Sequence, residues 1–321
     1  MNTPLRVVFM GSGEIGLPVL RWLAEFPKAH LVGVVTQPDK PVGRSQILTS
    51  PSPKRLADSI GVPVLQPSRV RKPESLTDIA ALKPDLIVVM AYGQILPKAL
   101  LEMPTLACLN LHASLLPRHR GAAPIQSSIL AGDSASGVTV MYMAEGLDTG
   151  DILLQKTLAI RHRETGGSLH DRLAALAPEA LEAAMEMLMR GEAPRISQAE
   201  DQATYAGKLD RDSGLVNWRE PGWQIDRLVR AMNPWPGAYT MVSLAGGTSR
   251  RLKLHRVLPM HRRTGDPGEV LAGTKRGLIV GTGAGSVLLL EVQLEGKTRM
   301  SASEFVRGFP LPIGTTLGAT A

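Results

Sequence analysis

Asn110 and His112 are the two residues of this chain whose types and spacing most directly suggest chemistry. They lie at the end of an apolar run, Leu106 to Leu111, that reads as a strand. Two residues apart on an extended backbone, their side chains leave on the same side. A carboxamide N–H can hold a developing oxyanion and an imidazole can move protons, which are the two things acyl transfer needs. Ser114-Leu115-Leu116-Pro117 follows directly as a short, stiff, apolar loop along which a flat heteroaromatic ligand could lie. Gly121 and Pro124 then set the turn into the next helix.

A third group is expected from Glu145-Gly146-Leu147-Asp148-Thr149-Gly150-Asp151, a glycine-flanked acidic loop between two predicted strands. A carboxylate near an imidazole orients it and favours its charged form. An isolated loop aspartate is more often a turn residue, so the chemistry requires this loop to lie beside the Asn/His pair. Spacing alone leaves Asp148 and Asp151 both open; Asp148, just after apolar Leu147 and flanked by Gly146 and Gly150, is the better placed. Cys108 lies inside a predicted strand and no Ser/His/Asp triad is apparent, so no covalent enzyme intermediate is expected. The seven histidines lack ligand spacing such as H-E-x-x-H, and no metal is implied.

Gly11-Ser12-Gly13-Glu14-Ile15-Gly16 is a complete G-x-G-x-x-G between a predicted strand and a predicted helix, the pattern of a dinucleotide site. The second strand should then end in an acidic residue for the ribose. It ends instead Val34-Val35-Thr36-Gln37-Pro38, with Asp39 arriving only inside the following loop. A tight turn with close strand–helix packing is the preferred reading, and an NAD-dependent oxidoreductase the alternative that an NADH titration would test.

The elements that must position these groups alternate. Apolar strands are predicted at Leu5–Met10, His30–Thr36, Val62–Leu65, Asp85–Ala91 and Leu106–Leu111, with helices at Glu14–Glu25 and Pro53–Ile60. That alternation implies a parallel α/β sheet covered on both faces, with ligands beyond the carboxyl ends of its strands, where Asn110 and His112 fall. A helix at Pro124–Ala131, strands at Gly137–Met143 and Asp151–Gln155, and a long helix from Leu169 to Arg190 complete the first region. The methionines of that helix are core filler. From Gly191 the pattern turns polar and irregular. We assign 1–190 to a catalytic domain, 191–208 to a linker, and 209–321 to a second domain. The last region has a helix at Gln224–Met232 and short strands at Arg251–Val257, Glu269–Leu271, Leu278–Val280 and Val287–Val292, which suggests a small β-barrel.

At 321 residues the chain has room for two cores. Its 44% hydrophobic and 20% charged residues are those of a soluble globular protein. A single cysteine excludes a disulfide framework and fits a reducing, cytoplasmic setting. No signal-peptide pattern is expected at the start, and no apolar stretch is long enough to span a membrane. The formal net charge of +7 is uneven: 21 Lys+Arg against 20 Asp+Glu in residues 1–208, but 15 against 9 in residues 209–321. An excess of +6 in the last third points to a polyanionic partner.

Taken together, these motifs resemble the formyltransferase family that uses 10-formyltetrahydrofolate. The resemblance runs from residue 5 to about 310 and includes Val35-Thr36-Gln37-Pro38-Asp39, Ala91-Tyr92-Gly93-Gln94-Ile95-Leu96-Pro97, the Asn110–Pro124 block, Gly146–Asp151 and Asn233-Pro234-Trp235-Pro236. It implies a Rossmann-like, mostly parallel α/β sheet domain followed by a small C-terminal, OB-like β-barrel domain. It also implies 10-formyltetrahydrofolate as formyl-donor co-substrate and the α-amine of methionine on initiator tRNA as acceptor, in a cytoplasmic monomer. The implied catalytic residues are Asn110, His112 and Asp148, with protonated His112 as a second oxyanion donor. The implied folate contacts are Ser114, Leu115, Leu116 and Pro117, and Arg44 in the loop 38–50 would reach the tRNA acceptor end. Ser45 and Gln46 stand where the family commonly has lysines, and His119 where it has tryptophan. Rival readings are a sugar-nucleotide formyltransferase, a formyltetrahydrofolate hydrolase, or a non-catalytic RNA-binding protein on a relict fold.

Overall fold

The structure is a computed structural model and describes residues 3–43, 46–243, 249–261 and 264–318, the side chain of Val42 excepted. The chain divides into two compact units. One comprises Met1–Pro124, Ala135–Ala159 and His170–Ala206; the other comprises Ile125–Ser134, Ile160–Leu169 and Gly207–Ala321.

The first unit is built on a seven-stranded sheet. Its order is Ile152–Ala159, Ala135–Tyr142, Ala107–His112, Leu86–Met90, Leu5–Gly11, Ala29–Val35 and Val64–Leu65. The last five pair in parallel; Ala135–Tyr142 runs antiparallel to both its neighbours. The parallel strands are near-continuous apolar runs because both faces are covered: Val7, Val8, Phe9, Ile87 and Val88 are fully buried. Strand order reverses between Leu5–Gly11 and Leu86–Met90, and sheets of this kind bind ligands beyond the carboxyl ends of their central strands.

Helix starts here use proline. The helices Leu17–Glu25, Ser52–Ser59 and Pro73–Ala81 each carry one in their first turn, where no N–H is needed. Pro18 therefore marks where the expected Glu14–Glu25 helix begins in earnest, after a 3₁₀ turn at Glu14–Gly16. The helix that Pro73 opens is not among those expected from the sequence.

Of residues 191–208, expected as a linker, 191–206 cluster with the first unit and 207–208 with the second. Ile196 and Ile152 exchange backbone hydrogen bonds of 2.8 and 3.0 Å. Tyr205–Ala206 pairs in parallel with Arg120–Gly121. Polar, irregular composition signals missing secondary structure, not missing contacts. The expected boundary is also crossed earlier in the chain, since 125–134 and 160–169 belong to the second unit.

The second unit holds an antiparallel sheet ordered Ala238–Ser243, Ser249–Met260, Ser286–Leu294, Gly277–Gly281 and Val270–Thr274, with Met300–Ser301 pairing onto Ser286–Leu294. Its two edges are joined by residues 315–318. Gly318 N–H donates to the Met241 carbonyl, Val270 N–H to that of Thr315, and Leu317 N–H to that of Gly268, all at 2.8 Å. That segment closes the sheet into a barrel. Inside lie Val242, Leu252, Val280, Val287 and Leu294, all fully buried, and Trp218, whose Nε1–H donates to Thr240 Oγ1 at 2.9 Å.

Candidate active site

Asn110 and His112 sit at the carboxyl end of Ala107–His112, where the sheet switches from parallel to antiparallel. Val89 and Met141 flank Asn110 in register, and Thr139 lies opposite His112. Asp148 comes to them from the loop after Ala135–Tyr142. Its Oδ1 is 3.5 Å from Asn110 Nδ2 and its Oδ2 3.6 Å from His112 Nδ1. Asp151 faces elsewhere, accepting from Ser197 Oγ at 3.2 Å with Arg195 at 4.0 Å. Of the two aspartates left open by spacing, the structure brings only Asp148 to the pair.

His112 is buried, 6% exposed, and its Nε2 lies 2.9 Å from the His119 carbonyl oxygen. A carbonyl only accepts, so the Nε2 proton is fixed. The exchangeable nitrogen is Nδ1, the one that faces Asp148. Any donation by His112 to a ligand would therefore have to come from Nδ1, and the Asn110 amide is the other side-chain donor of the cluster.

Asp148 adopts a left-handed backbone conformation with φ +53°. Aspartate tolerates it at a cost of roughly 1 kcal/mol. The Gly121 N–H holds the carboxylate in place, donating to Oδ2 at 2.8 Å. Gly121 itself has φ +117°, and a Cβ there would lie 2.5 Å from the Ala206 carbonyl oxygen. Only glycine lets this N–H reach Asp148.

The loop Ser114–Pro117 continues directly from His112 and is pinned by its own polar groups. The buried Ser114 hydroxyl donates to the Arg118 carbonyl at 2.7 Å. Thr139 Oγ1 donates to the Ser114 carbonyl at 2.6 Å and accepts from Leu116 N–H at 3.1 Å. Gln155 donates to the Leu116 carbonyl at 2.9 Å. What remains for a ligand is the part-exposed surface of Leu115 and Pro117 and the second lone pairs of the carbonyls. Arg44 and Ser45 lie outside the described residues, so the tRNA assignment of Arg44 has no structural counterpart here.

The glycine motif packs. A Cβ at Gly11 would meet the Phe9 ring at 2.7 Å and the Met90 carbonyl oxygen at 2.8 Å, and one at Gly16 would also strike Phe9. Exposed Glu14 places a carboxylate at the helix start, where a pyrophosphate would need to bind. Asp39 is occupied by Gln66 at 2.7 Å, Ser50 at 2.9 Å and Lys54 at 3.4 Å. These partners, Gln66 first, hold its carboxyl below the usual range. Burial pushes the Cys108 thiol up to about 12, so it is protonated at neutral pH and no nucleophile. Among the described residues no cluster of His, Cys, Asp and Glu could hold a metal ion, and no helix is long and apolar enough to cross a membrane.

Two polar residues of this neighbourhood carried no role in the sequence reading: Arg120, fully buried, and Gln198, in the segment expected to be a linker. The signal available for Arg120 is a charged residue between His119 and Gly121, within the Asn110–Pro124 block.

Residues 5–185 match the model of the formyl transferase family, and residues 208–310 match that of its C-terminal domain. The chain belongs to the formyl transferase family. Among its relatives are the proteins named methionyl-tRNA formyltransferase from Akkermansia muciniphila and Geobacter sulfurreducens. The first is 45% identical over 310 residues, covering 95% of this chain and 97% of that one. The second is 46% identical over 314 residues, covering 98% and 97%. Similar folds occur in the sugar 3N-formyl transferase WlaRD, with a TM-score of 0.64 at 15% identity over 92% of this chain and 99% of that one. They also occur in HypX from Aquifex aeolicus, solved with tetrahydrofolic acid, with a TM-score of 0.61 at 20% identity over 95% of this chain; this chain spans 47% of that protein.

Proposed function

We propose that this chain transfers the formyl group of 10-formyltetrahydrofolate to the α-amine of methionine esterified to initiator tRNA, in the cytoplasm, for translation initiation. The observation that carries the proposal is identity of 45–46% along nearly the whole length of methionyl-tRNA formyltransferases, second domain included. The cluster at Asn110, His112 and Asp148 supports direct transfer. As the amine adds to the formyl carbon, the carbonyl oxygen gains charge and the Asn110 amide donates to it; one such donor is worth roughly 3 kcal/mol. The His112 Nδ1 and Asp148 pair takes the proton lost by the amine and returns one to the departing N10 of the folate. Positioned proton transfer of this kind contributes about 10²–10⁴-fold. The loop Ser114–Pro117 holds the folate through apolar surface and carbonyl lone pairs, and Arg44 steers the acceptor end.

The assay compares formyl transfer from 10-formyltetrahydrofolate to charged initiator tRNA, charged elongator tRNA and free methionine. Preference for the first is expected; equal use of free methionine, or hydrolysis without an acceptor, overturns the proposal.

The basic second unit binds the phosphate backbone. Arg250, Arg251 and Lys253 lie along Ser249–Met260 with at least partly exposed side chains, and Arg251 stacks on the Tyr239 ring at 4.0 Å. Each phosphate neutralised contributes about −0.9 to the slope of log affinity against log salt. Three such contacts predict that the log affinity for charged tRNA falls with a slope near −3, measured by filter binding across salt concentrations. A flat response would show that the charge excess plays no part in binding.

A further inference from the structure

We infer that Gln198 is a positioning residue for the reaction, acting through Asp148; the inference rests on the function proposed above. The loop bearing Asp148 is exposed at Glu145, Gly146, Leu147 and Thr149, and Asp148 sits in a left-handed conformation that costs an aspartate roughly 1 kcal/mol, so other contacts must hold it there. Gln198 supplies the constraint. Its Nε2 donates at 2.8 Å to the carbonyl oxygens of both Asp148 and Gly150. Its Oε1 accepts from Arg120 Nε at 3.0 Å and Nη2 at 2.9 Å. The amide orientation is unambiguous, since a flip would set an oxygen against two carbonyls and an NH₂ against a guanidinium.

Arg120 is in turn immobilised. Its guanidinium, fully buried, makes a two-pronged pair with Glu200, Nη1 to Oε2 at 2.9 Å and Nη2 to Oε1 at 2.8 Å. Arg120 beside it draws the Glu200 carboxyl below its usual range. The Arg120 N–H donates to the Thr204 carbonyl at 2.8 Å. The residue after Arg120 is Gly121, whose N–H holds the Asp148 carboxylate. The segment 195–206 thus fixes Asp148 twice: its main chain through Gln198, and its carboxylate through the Arg120–Gly121 strand that Tyr205–Ala206 pairs with. Removing the Gln198 donors leaves two loop carbonyls without partners and frees Asp148 to move away from His112 Nδ1. A misplacement of about 1 Å at a proton-transfer group costs on the order of 10²-fold.

Gln198→Glu separates the two halves of the side chain. It keeps an oxygen for Arg120 and replaces the donor to Asp148 and Gly150 by a second oxygen. The isosteric, uncharged Gln198→Met serves as the second variant should the carboxylate disturb folding. With wild-type formyl transfer to charged initiator tRNA established first, kcat for either variant is expected to fall about 10–100-fold. KM for folate and for tRNA should stay within about twofold, because neither substrate site is touched. In an Asp148→Asn background the same change should add almost nothing, as expected for a residue acting only through Asp148. Wild-type kcat in both variants, a loss that persists undiminished in the Asp148→Asn background, or a rise in KM with kcat unchanged overturns the inference. Absence of transfer by the wild-type chain would instead overturn the proposed function.

Discussion

Asn110→Ala is expected to lower kcat for formyl transfer by about 10²–10³-fold, the usual effect of deleting one oxyanion donor. The physical reason is local. Asn110 Nδ2 carries two protons, and its contact with Asp148 Oδ1 is long at 3.5 Å, so the amide is not consumed by the protein. His112 Nε2 is committed to the His119 carbonyl and so is not free to compensate. The folding cost should be small, since the side chain is only partly buried and its hydrogen bond to Asp148 is long. Steady-state kinetics on charged tRNA, together with a melting curve, check this; near-normal kcat would remove the amide from the mechanism.

His112→Ala is expected to cost about 10²–10⁴-fold in kcat. Its effect must be separated from a loss of stability. The ring is buried and donates to the His119 carbonyl, so truncation removes that hydrogen bond, worth about 0.5–1.5 kcal/mol, and leaves a cavity. Activity should therefore be measured well below the variant's Tm, where the chain is folded. Under those conditions a loss no greater than tenfold would mean that the proton moves by another route.

Asn110 and His112 were legible in the sequence because a strand imposes a two-residue period, and a carboxamide and an imidazole on one face of an apolar strand have few other uses. The acidic loop was legible as a loop. The flanking glycines already favoured Asp148 over Asp151; what spacing did not show is how it is held, by a left-handed backbone and a glycine N–H that arrives from 27 residues away. Gln198 was out of reach for the same reason: it acts on a carbonyl 50 residues earlier from a stretch without periodicity. The Lys40–Val42 and Ile47–Thr49 hairpin was hidden because its short strands bury little, with Ile47 and Leu48 about two-thirds exposed. The strand Ala238–Ser243 was missed although it carries one edge of the barrel; its first three residues are all buried, so alternation is absent where the strand begins.

That edge gives residues 315–318 a structural duty. Residues 315–318 separate two strand edges that would otherwise present rows of unpaired N–H and C=O groups. Open strand edges are templates for another chain. A chain trimmed at residue 314 would therefore expose a Met241 carbonyl and a Val270 N–H on opposite lips of a split cylinder, and light scattering should show self-association at concentrations where the full chain stays clear. Tags appended after residue 318 leave those lips sealed.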